Sequence, residues 1–548
     1  MKLFYPGKVI ISFLFLFALL LSSAACSLER GDSALQQEQT TEPDISHFLV
    51  AVEDEPDTVD FQCTTIHYTI AQNVFNRLVE MEGNEAGGMD ILPSLAESWE
   101  VSEDGRVYTF HLRENVAFSN GAPLTVSDVL YSFIRLLTHP DSCNQDILDV
   151  VVGAEELMDG KTSGLEGFQV LGEHDFSITL KQPFEAFLAG LSMPGASIMD
   201  EETTREAGPR FGLDPAWTIG TGSFILRKWT PEVGMLLTAN PNCWQGPPAC
   251  EGLDLRFLTE PEEIQNLFDN GELDILDLDE VGDYAEFYIH GDIYQERLFR
   301  VPRIGIVYIA LNEATPPLND VKVRKAMQLS LNRAILLNVV YSGLGAVENG
   351  IFPHGLYGFN PELPEIPFDP DEAKALLAKA GYPDGFDLTV QVKSSSTQWE
   401  MTLMRLAASM WAKTGIRARI IVLDEDEFMS LRKRGEITCY TAMWTADFND
   451  PDNFIYTFFG NRENTVNRSL CYPNEEIMGR VREARSITDP ETRLAEYREL
   501  ERIIIQKDAA WIPLFSRLRV YVLSERVEGV QASWNGSVKN RYRDVVIK

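Results

Sequence analysis

Leu95 to Leu136 reads LAESWEVSEDGRVYTFHLRENVAFSNGAPLTVSDVLYSFIRL. Two runs in it alternate apolar and polar residues, Ser98 to Val101 and Arg106 to Arg113, with Glu103-Asp104-Gly105 between them. Asp-Gly between half-buried strands is a strong hairpin signal, because the glycine accepts the positive φ that a tight turn demands. Asn120-Gly121 marks a second turn. Thr125 then stands where an N-cap belongs, and the spacing of Val129, Phe133 and Leu137 gathers them on one face of a helix. The block therefore predicts a hairpin followed by an amphipathic helix.

The same alternation extends outward. His47 to Val52, Asp274 to Leu278, Val307 to Leu311, Arg417 to Leu423, Trp511 to Phe515 and Arg519 to Leu523 read as strands. Ile70 to Met81 has helical spacing and stops at Gly83, Ile264 to Phe268 is helical, and Val321 to Val340 reads as one long amphipathic helix. Asp371 to Ala380 and Met401 to Thr414 are helices followed by the stop signals Gly381 and Gly415, and Pro490 to Ile505 is the last helix. No segment repeats another. Strands separated by helices imply a mixed α/β protein with mainly open sheets.

A chain of 548 residues exceeds one compact core, so two or three domains are expected. With 45% hydrophobic residues the composition is globular and not that of a disordered polymer. Lys and Arg number 47 against 83 Asp and Glu, a net charge of −36, which argues against nucleic acid as a partner, because phosphate binding needs clustered cations. A solvated extracellular surface accounts for such acidity.

Residues 1–25 have the pattern of a signal peptide. Lys2 and Lys8 precede the apolar run Val9 to Leu21, which is too short to span a bilayer. Ser22, Ser23, Ala24 and Ala25 lead into Cys26, and small residues before a cysteine resemble a bacterial lipobox, in which that cysteine is lipidated; cleavage after Ala25 without a lipid is the alternative. Residues 26–46 are a polar linker of the kind that lifts a domain off a membrane. Six cysteines remain, an even number that suggests disulfides in an exported chain, and Cys243 and Cys250 flank a turn-rich loop where they could pair. No CxxC or Cys/His cluster occurs, so no metal is expected.

Met443 to Phe454 reads MWTADFNDPDNF. An apolar, aromatic strand end is followed by one carboxylate, Asp447, and then by a turn through Asn449, Asp450 and Pro451. A carboxylate beside the Trp444 indole can hold a cationic group. It can equally cap the turn by accepting from the amides of Asn449 or Asp450. Asp450 reads as a structural cap of the Pro451 turn. Motifs of enzyme chemistry, GxSxG, HExxH, GxxxxGK[ST] and the dinucleotide fingerprint, do not occur, and the seven histidines are scattered. No enzymatic activity and no cofactor are expected.

The 95–136 block resembles the signature block of extracytoplasmic solute-binding proteins of the peptide/nickel class, which serve ABC importers. GTGSFILRKWTPEVGMLLTANPNCW (Gly220 to Trp244), NDVKVRKAMQLSLNR (Asn319 to Arg333), FDPDEAKALLAKAGYPDGF (Phe368 to Phe386) and WIPLFSR (Trp511 to Arg517) are similar to further family blocks, in family order. Ser223, the Ser330-Leu331-Asn332 run and Ala510 depart from the usual residues, which marks a divergent member. The resemblance implies a two-lobed periplasmic-binding-protein fold with mixed open sheets, a hinged cleft and an extra subdomain in the first lobe. Lobe one would comprise 47–83, 215–302 and 517–548, the extra subdomain 84–214 and lobe two 303–516, with hinges near Pro302 and Ser516.

In peptide-binding relatives a W-x-x-D aspartate pairs with the ligand's α-ammonium, and Trp444 and Asp447 match that pattern. Met443 and Thr445 would offer backbone groups to a peptide lying as an added strand, and Thr64 and Thr65 stand where relatives contact the peptide backbone. The resemblance thus implies a monomeric lipoprotein, tethered through Cys26 to the outer face of the bacterial cytoplasmic membrane, or periplasmic where there are two membranes. It would capture short peptides and deliver them to an ABC permease and its ATPase subunits. The same fold also binds nickel chelates, haem, oligosaccharides or opines, and a sensory receptor not tied to transport is a further alternative.

Overall fold

The Asp104-Gly105 turn is the hairpin that its sequence predicts. Gly105 has φ +68° and its N–H donates to the Ser102 carbonyl at 2.8 Å. Ala96–Val101 and Val107–Leu112 pair antiparallel, with Trp99 opposite Phe110, and Asp175–Thr179 and Phe168–Val170 complete a four-stranded sheet. The helix Val126–Thr138 begins at a capping box in which Thr125 and Asp128 satisfy each other's backbone N–H groups. Val129, Phe133 and Leu137 bury their shared face against Phe110, Phe176 and Ile178.

In this computed structural model the described residues are 46–548, apart from 53, 65–67, 84–88, 397, 534 and 536–541. The expectations for residues 1–25, for Cys26 and its linker up to residue 45, and for Thr65 lie outside them. Among the described residues no helix is long and apolar enough to cross a membrane.

A ten-stranded sheet forms the frame. From one edge its order is Cys439–Thr445, Gly305–Leu311, Trp511–Leu523, Ile275–Asp277, His47–Val52, Gly252–Phe257, Gly234–Ala239 and Phe224–Thr230. The sequence suggests two strands between Trp511 and Leu523, but the chain forms one of thirteen residues. Its first half pairs with Gly305–Leu311 and Gly345–Val347, and its second half with Leu298–Pro302 and Ile275–Asp277. Separate apolar cores pack on the two ends of this frame. One contains Phe48, Leu253 and Tyr521; two others flank Gly305–Leu311, with Tyr308 and Trp511 on one face and Ile309 and Trp411 on the other.

Two helices expected from spacing are shorter in the structure. Ile70 to Met81 is a helix only over Tyr68–Val74; Val79–Gly83 is a strand paired with Met89–Pro93, because Val79 and Met81 alternate inward as strand residues do. Val321 to Val340 is two helices, Val321–Leu329 and Arg333–Tyr341, because the Asn332 side chain accepts from the Ile335 N–H at 3.0 Å and so starts a new helix. None of the six cysteines from Cys63 to Cys471 forms a disulfide. Cys243 and Cys250 turn to different neighbours, Ser223 Oγ at 3.8 Å and the Tyr542 carbonyl at 3.9 Å.

Candidate functional site

The strand Cys439–Thr445 lies at the edge of the large sheet and pairs with Gly305–Leu311, with Met443 opposite Val307 and Thr445 opposite Gly305. Two backbone bonds fix which way its polar groups face. The Ala446 N–H donates to the Ile304 carbonyl at 2.8 Å, and the Thr438 carbonyl accepts from Asn312 at 3.0 Å. In an antiparallel pair N–H and C=O alternate sides with a period of two. Tyr440, Ala442 and Trp444 therefore point their backbone inward, and Thr441, Met443 and Thr445 point theirs to the outer edge. The Gln391 side chain covers the start of that edge, accepting from the N–H groups of Thr438 and Cys439. Among the described residues no strand pairs along the rest.

Beyond the strand the chain turns into the helix Pro451–Phe459. Asp450 is its N-cap, accepting from the Asp452 N–H at 2.8 Å, and both its oxygens also accept from buried Arg493 at 2.6 and 2.8 Å. Asp447 does not accept from Asn449 or Asp450. Its Oδ2 accepts from Asn453 Nδ2 at 2.9 Å, while Asn453 Oδ1 accepts from the Asp447 N–H at 3.0 Å and from Trp444 Nε1 at 3.3 Å. One buried amide thus orients both the indole and the carboxylate. Trp444 also packs edge-on against Phe458, with the Arg468 guanidinium 5.8 Å from its ring centre.

The Asp447 side chain is exposed to solvent, although protein crowds around it. Loss of hydration pushes its carboxyl up to about 6; the Asn453 bond and Arg468 oppose the rise, and the charge of Asp146 adds to it. Asp149 is similar: burial pushes it up to about 6 against the pull of Arg485. Tyr68 feels the charge of Asp447, and its hydroxyl lies 2.8 Å from the Thr64 carbonyl and 3.1 Å from Asn144 Oδ1, sharing its one proton between these two acceptors. The fold thus brings Met443, Trp444, Thr445 and Asp447 together, with Tyr68 coupled to Asp447 and tied to Thr64. Sequence reasoning missed Asn453, Tyr68 and Asp146. Asn453 falls in the first turn of a capped helix close behind Asp447, which is a usable signal; nothing local marks Asp146.

The sequence shows no Cys/His cluster, and the fold forms one. Asp60, Cys63 and His139 come together in the fold although His139 is far away in sequence.

The sequence profile of bacterial extracellular solute-binding proteins, family 5 Middle, matches residues 90–465. This chain belongs to that family. As a family 5 solute-binding protein it is 30% identical over 505 residues to di/tripeptide-binding protein 2 of Pseudomonas aeruginosa, covering 88% of this chain and 92% of that one. It is 29% identical over 479 residues to heme-binding protein A of Haemophilus influenzae, covering 85% of each. The solved structure of HbpA2 from Haemophilus parasuis superposes on this solute-binding protein with a TM-score of 0.77 at 27% identity, over 92% of this chain and all of that one. Its architecture is that of the two-lobed periplasmic binding proteins, and the family's task is capture of solutes outside the cytoplasm.

Proposed function

We propose that this solute-binding protein captures short peptides and passes them to an ABC permease and its ATPase subunits. The observation that carries the reading is a strand edge, unpaired beyond its start, that leads to an exposed carboxylate held by Asn453. A peptide aligned on the outer edge of Cys439–Thr445 bonds its main chain to Met443 and Thr445 whatever its side chains are. Its α-ammonium then meets Asp447, whose charge-assisted bond offsets the desolvation of both groups. Trp444 stands beside Asp447, Thr64 contributes through its tie to Tyr68, and Thr65 is proposed with it from the family resemblance alone. The similarity to a di/tripeptide-binding protein supports the same reading.

Residues 303–516 act as one lobe. Residues 47–83, 215–302 and 517–548 act as the other, which carries the 84–214 subdomain, and the hinges lie near Pro302 and Ser516. Ligand shifts the open–closed equilibrium that the permease reads. The chain works as a monomer held to the membrane by a lipid on Cys26.

The likeness to heme-binding protein A favours a second reading, haem at the same site. Haem carries anionic propionates, and the site around Asp447 and Asp146 repels them. Native mass spectrometry of the purified protein separates the readings. A retained mixture of short peptides supports the first, and retained haem overturns it.

A further inference from the structure

The segment that ends at Thr64 carries a group of side chains with no part in peptide capture. Cys63 Sγ lies 3.3 Å from Asp60 Oδ2 and 3.3 Å from His139 Nδ1. All three donor atoms lie within 4.8 Å of one another. A tetrahedral zinc ion with sulfur at about 2.3 Å and nitrogen or oxygen at about 2.0 Å separates such donors by roughly 3.5 Å. The two distances from Cys63 Sγ therefore stand within a few tenths of an ångström, on the order of ordinary side-chain adjustment, of the spacing a shared ion imposes, and the third separation is at most 4.8 Å.

Each donor is also oriented from behind. The two oxygens of Asp60 accept from Arg135 at 3.1 and 2.5 Å, and Oδ1 accepts from the Gln62 N–H at 3.2 Å. A carboxylate has lone pairs enough to serve a cation and these donors together. His139 ends the helix Val126–Thr138, fixed by its own N–H to the Arg135 carbonyl at 2.8 Å. Its Nδ1 lies 3.3 Å from the Asp141 N–H and 3.3 Å from Cys63 Sγ; its one in-plane lone pair serves one partner at a time, so a bound ion displaces the Asp141 contact. The Cys63 thiol is pushed up by burial and by Asp60 to about 12, so it carries its proton unless a cation replaces it. Cys143 stands beside the group, with its N–H on the Gln62 carbonyl at 3.0 Å.

We propose that Asp60, Cys63 and His139 bind a thiophilic divalent cation of the zinc type, with the fourth position open towards solvent. One thiolate, one carboxylate and one imidazole are a donor set that suits zinc and excludes magnesium or calcium. On binding, the Cys63 proton leaves to solvent and a sulfur–metal bond forms, with no change of oxidation state. The ion ties the 60–64 segment to the end of the 126–138 helix. It thereby stiffens the backbone at Thr64, whose carbonyl accepts from Asn144 at 2.9 Å.

The test uses the full mature chain, kept reduced with a phosphine and stripped with a chelator. Zinc is titrated by calorimetry and cobalt(II) by absorption. The expected result is uptake of one cation per chain and a sulfur-to-cobalt charge-transfer band in the near ultraviolet. Cys63→Ser abolishes the band, and both Cys63→Ser and His139→Gln weaken zinc binding by roughly 100-fold or more. Cys143→Ser keeps both band and affinity, and circular dichroism verifies the folding of each variant. A band that survives Cys63→Ser, zinc uptake no stronger than that of the Cys63→Ser protein, or loss of binding in Cys143→Ser overturns the assignment. So does a Cys63–Cys143 disulfide in the protein isolated without reductant.

Discussion

Asp447→Asn removes one charge and nearly no volume, and it should act in opposite directions on stability and on binding. The Asp447 carboxyl lies at about 6 in the folded chain against an ordinary 3.8. A raised folded pKa means that the ligand-free fold holds the proton more tightly than the unfolded chain does. The stability this contributes is complete below about 3.8 and is lost as pH rises through about 6. At pH 7 the ionised side chain therefore costs the ligand-free protein stability, about 3 kcal/mol if unscreened. Because Asp447 touches water, screening reduces this to about 1 kcal/mol. Asparagine escapes that cost, so ligand-free Asp447→Asn should melt about 1–2 °C higher at pH 7 and show no gain at pH 4. Peptide affinity moves the other way. Loss of a buried charge partner costs about 2–5 kcal/mol, or roughly 30- to several-thousand-fold in Kd. The wild-type affinity should also fall as pH drops below about 6, because the ligand's α-ammonium, with pKa near 8, stays charged while Asp447 does not. Scanning fluorimetry at pH 4 and 7 and calorimetry with a mixed short-peptide ligand read all three effects. A variant that binds peptide within about threefold of wild type, with a wild-type affinity flat from pH 7.5 to 5, would refute the ammonium anchor.

Other outcomes follow from neighbouring contacts. Asn453→Leu keeps the charge of Asp447 but loses the amide that orients it and Trp444; peptide affinity should fall about tenfold or more, with about 1–2 kcal/mol of stability lost in denaturant melts. Arg493→Met leaves Asp450 buried without its guanidinium partner, and should cost about 3–5 kcal/mol of unfolding free energy by urea titration. Arg485 bridges Asp452 at 3.1 Å, the Tyr456 ring at 3.8 Å and the Phe184 ring at 4.5 Å. Arg485→Gln should therefore shift the free protein towards an opened form, read as a larger radius of gyration in small-angle scattering. Cys26→Ser should release the protein from the membrane fraction on fractionation and leave its peptide affinity unchanged.

What could be read in the sequence divides along the range of the interactions. The Asp104-Gly105 hairpin, the Thr125 cap and the glycine stops at Gly381 and Gly415 are decided within a few residues, and each appears where its residues require it. Residues 321–340 were misleading because apolar spacing continues across the break, while a single side-chain bond from Asn332 restarts the helix. Val79 and Met81 fit helical or strand spacing equally. The strand Met89–Pro93 decides between them, and no local pattern shows which partner a segment will find.

The candidate site follows the same division, with a consequence for its specificity. Trp444 and Asp447 are three residues apart and legible as a pair. Loss of hydration has the largest effect on the charge state of Asp447, and the groups that modulate it come from elsewhere: Asn453 from the next helix, Asp146 from a distant turn and Arg468 from beyond the helix. Two carboxylates that sense each other favour a ligand that brings positive charge, because it relieves their repulsion as well as forming its own bonds. Removing Asp146 should then lower the pKa of Asp447 while weakening attraction for the cation. Asp146→Asn is accordingly expected to move the midpoint of the pH-dependent affinity to lower pH and to leave binding at pH 7.5 weaker, measured by calorimetry across that range. A midpoint that stays in place would mean that burial alone, and not the second carboxylate, tunes the site.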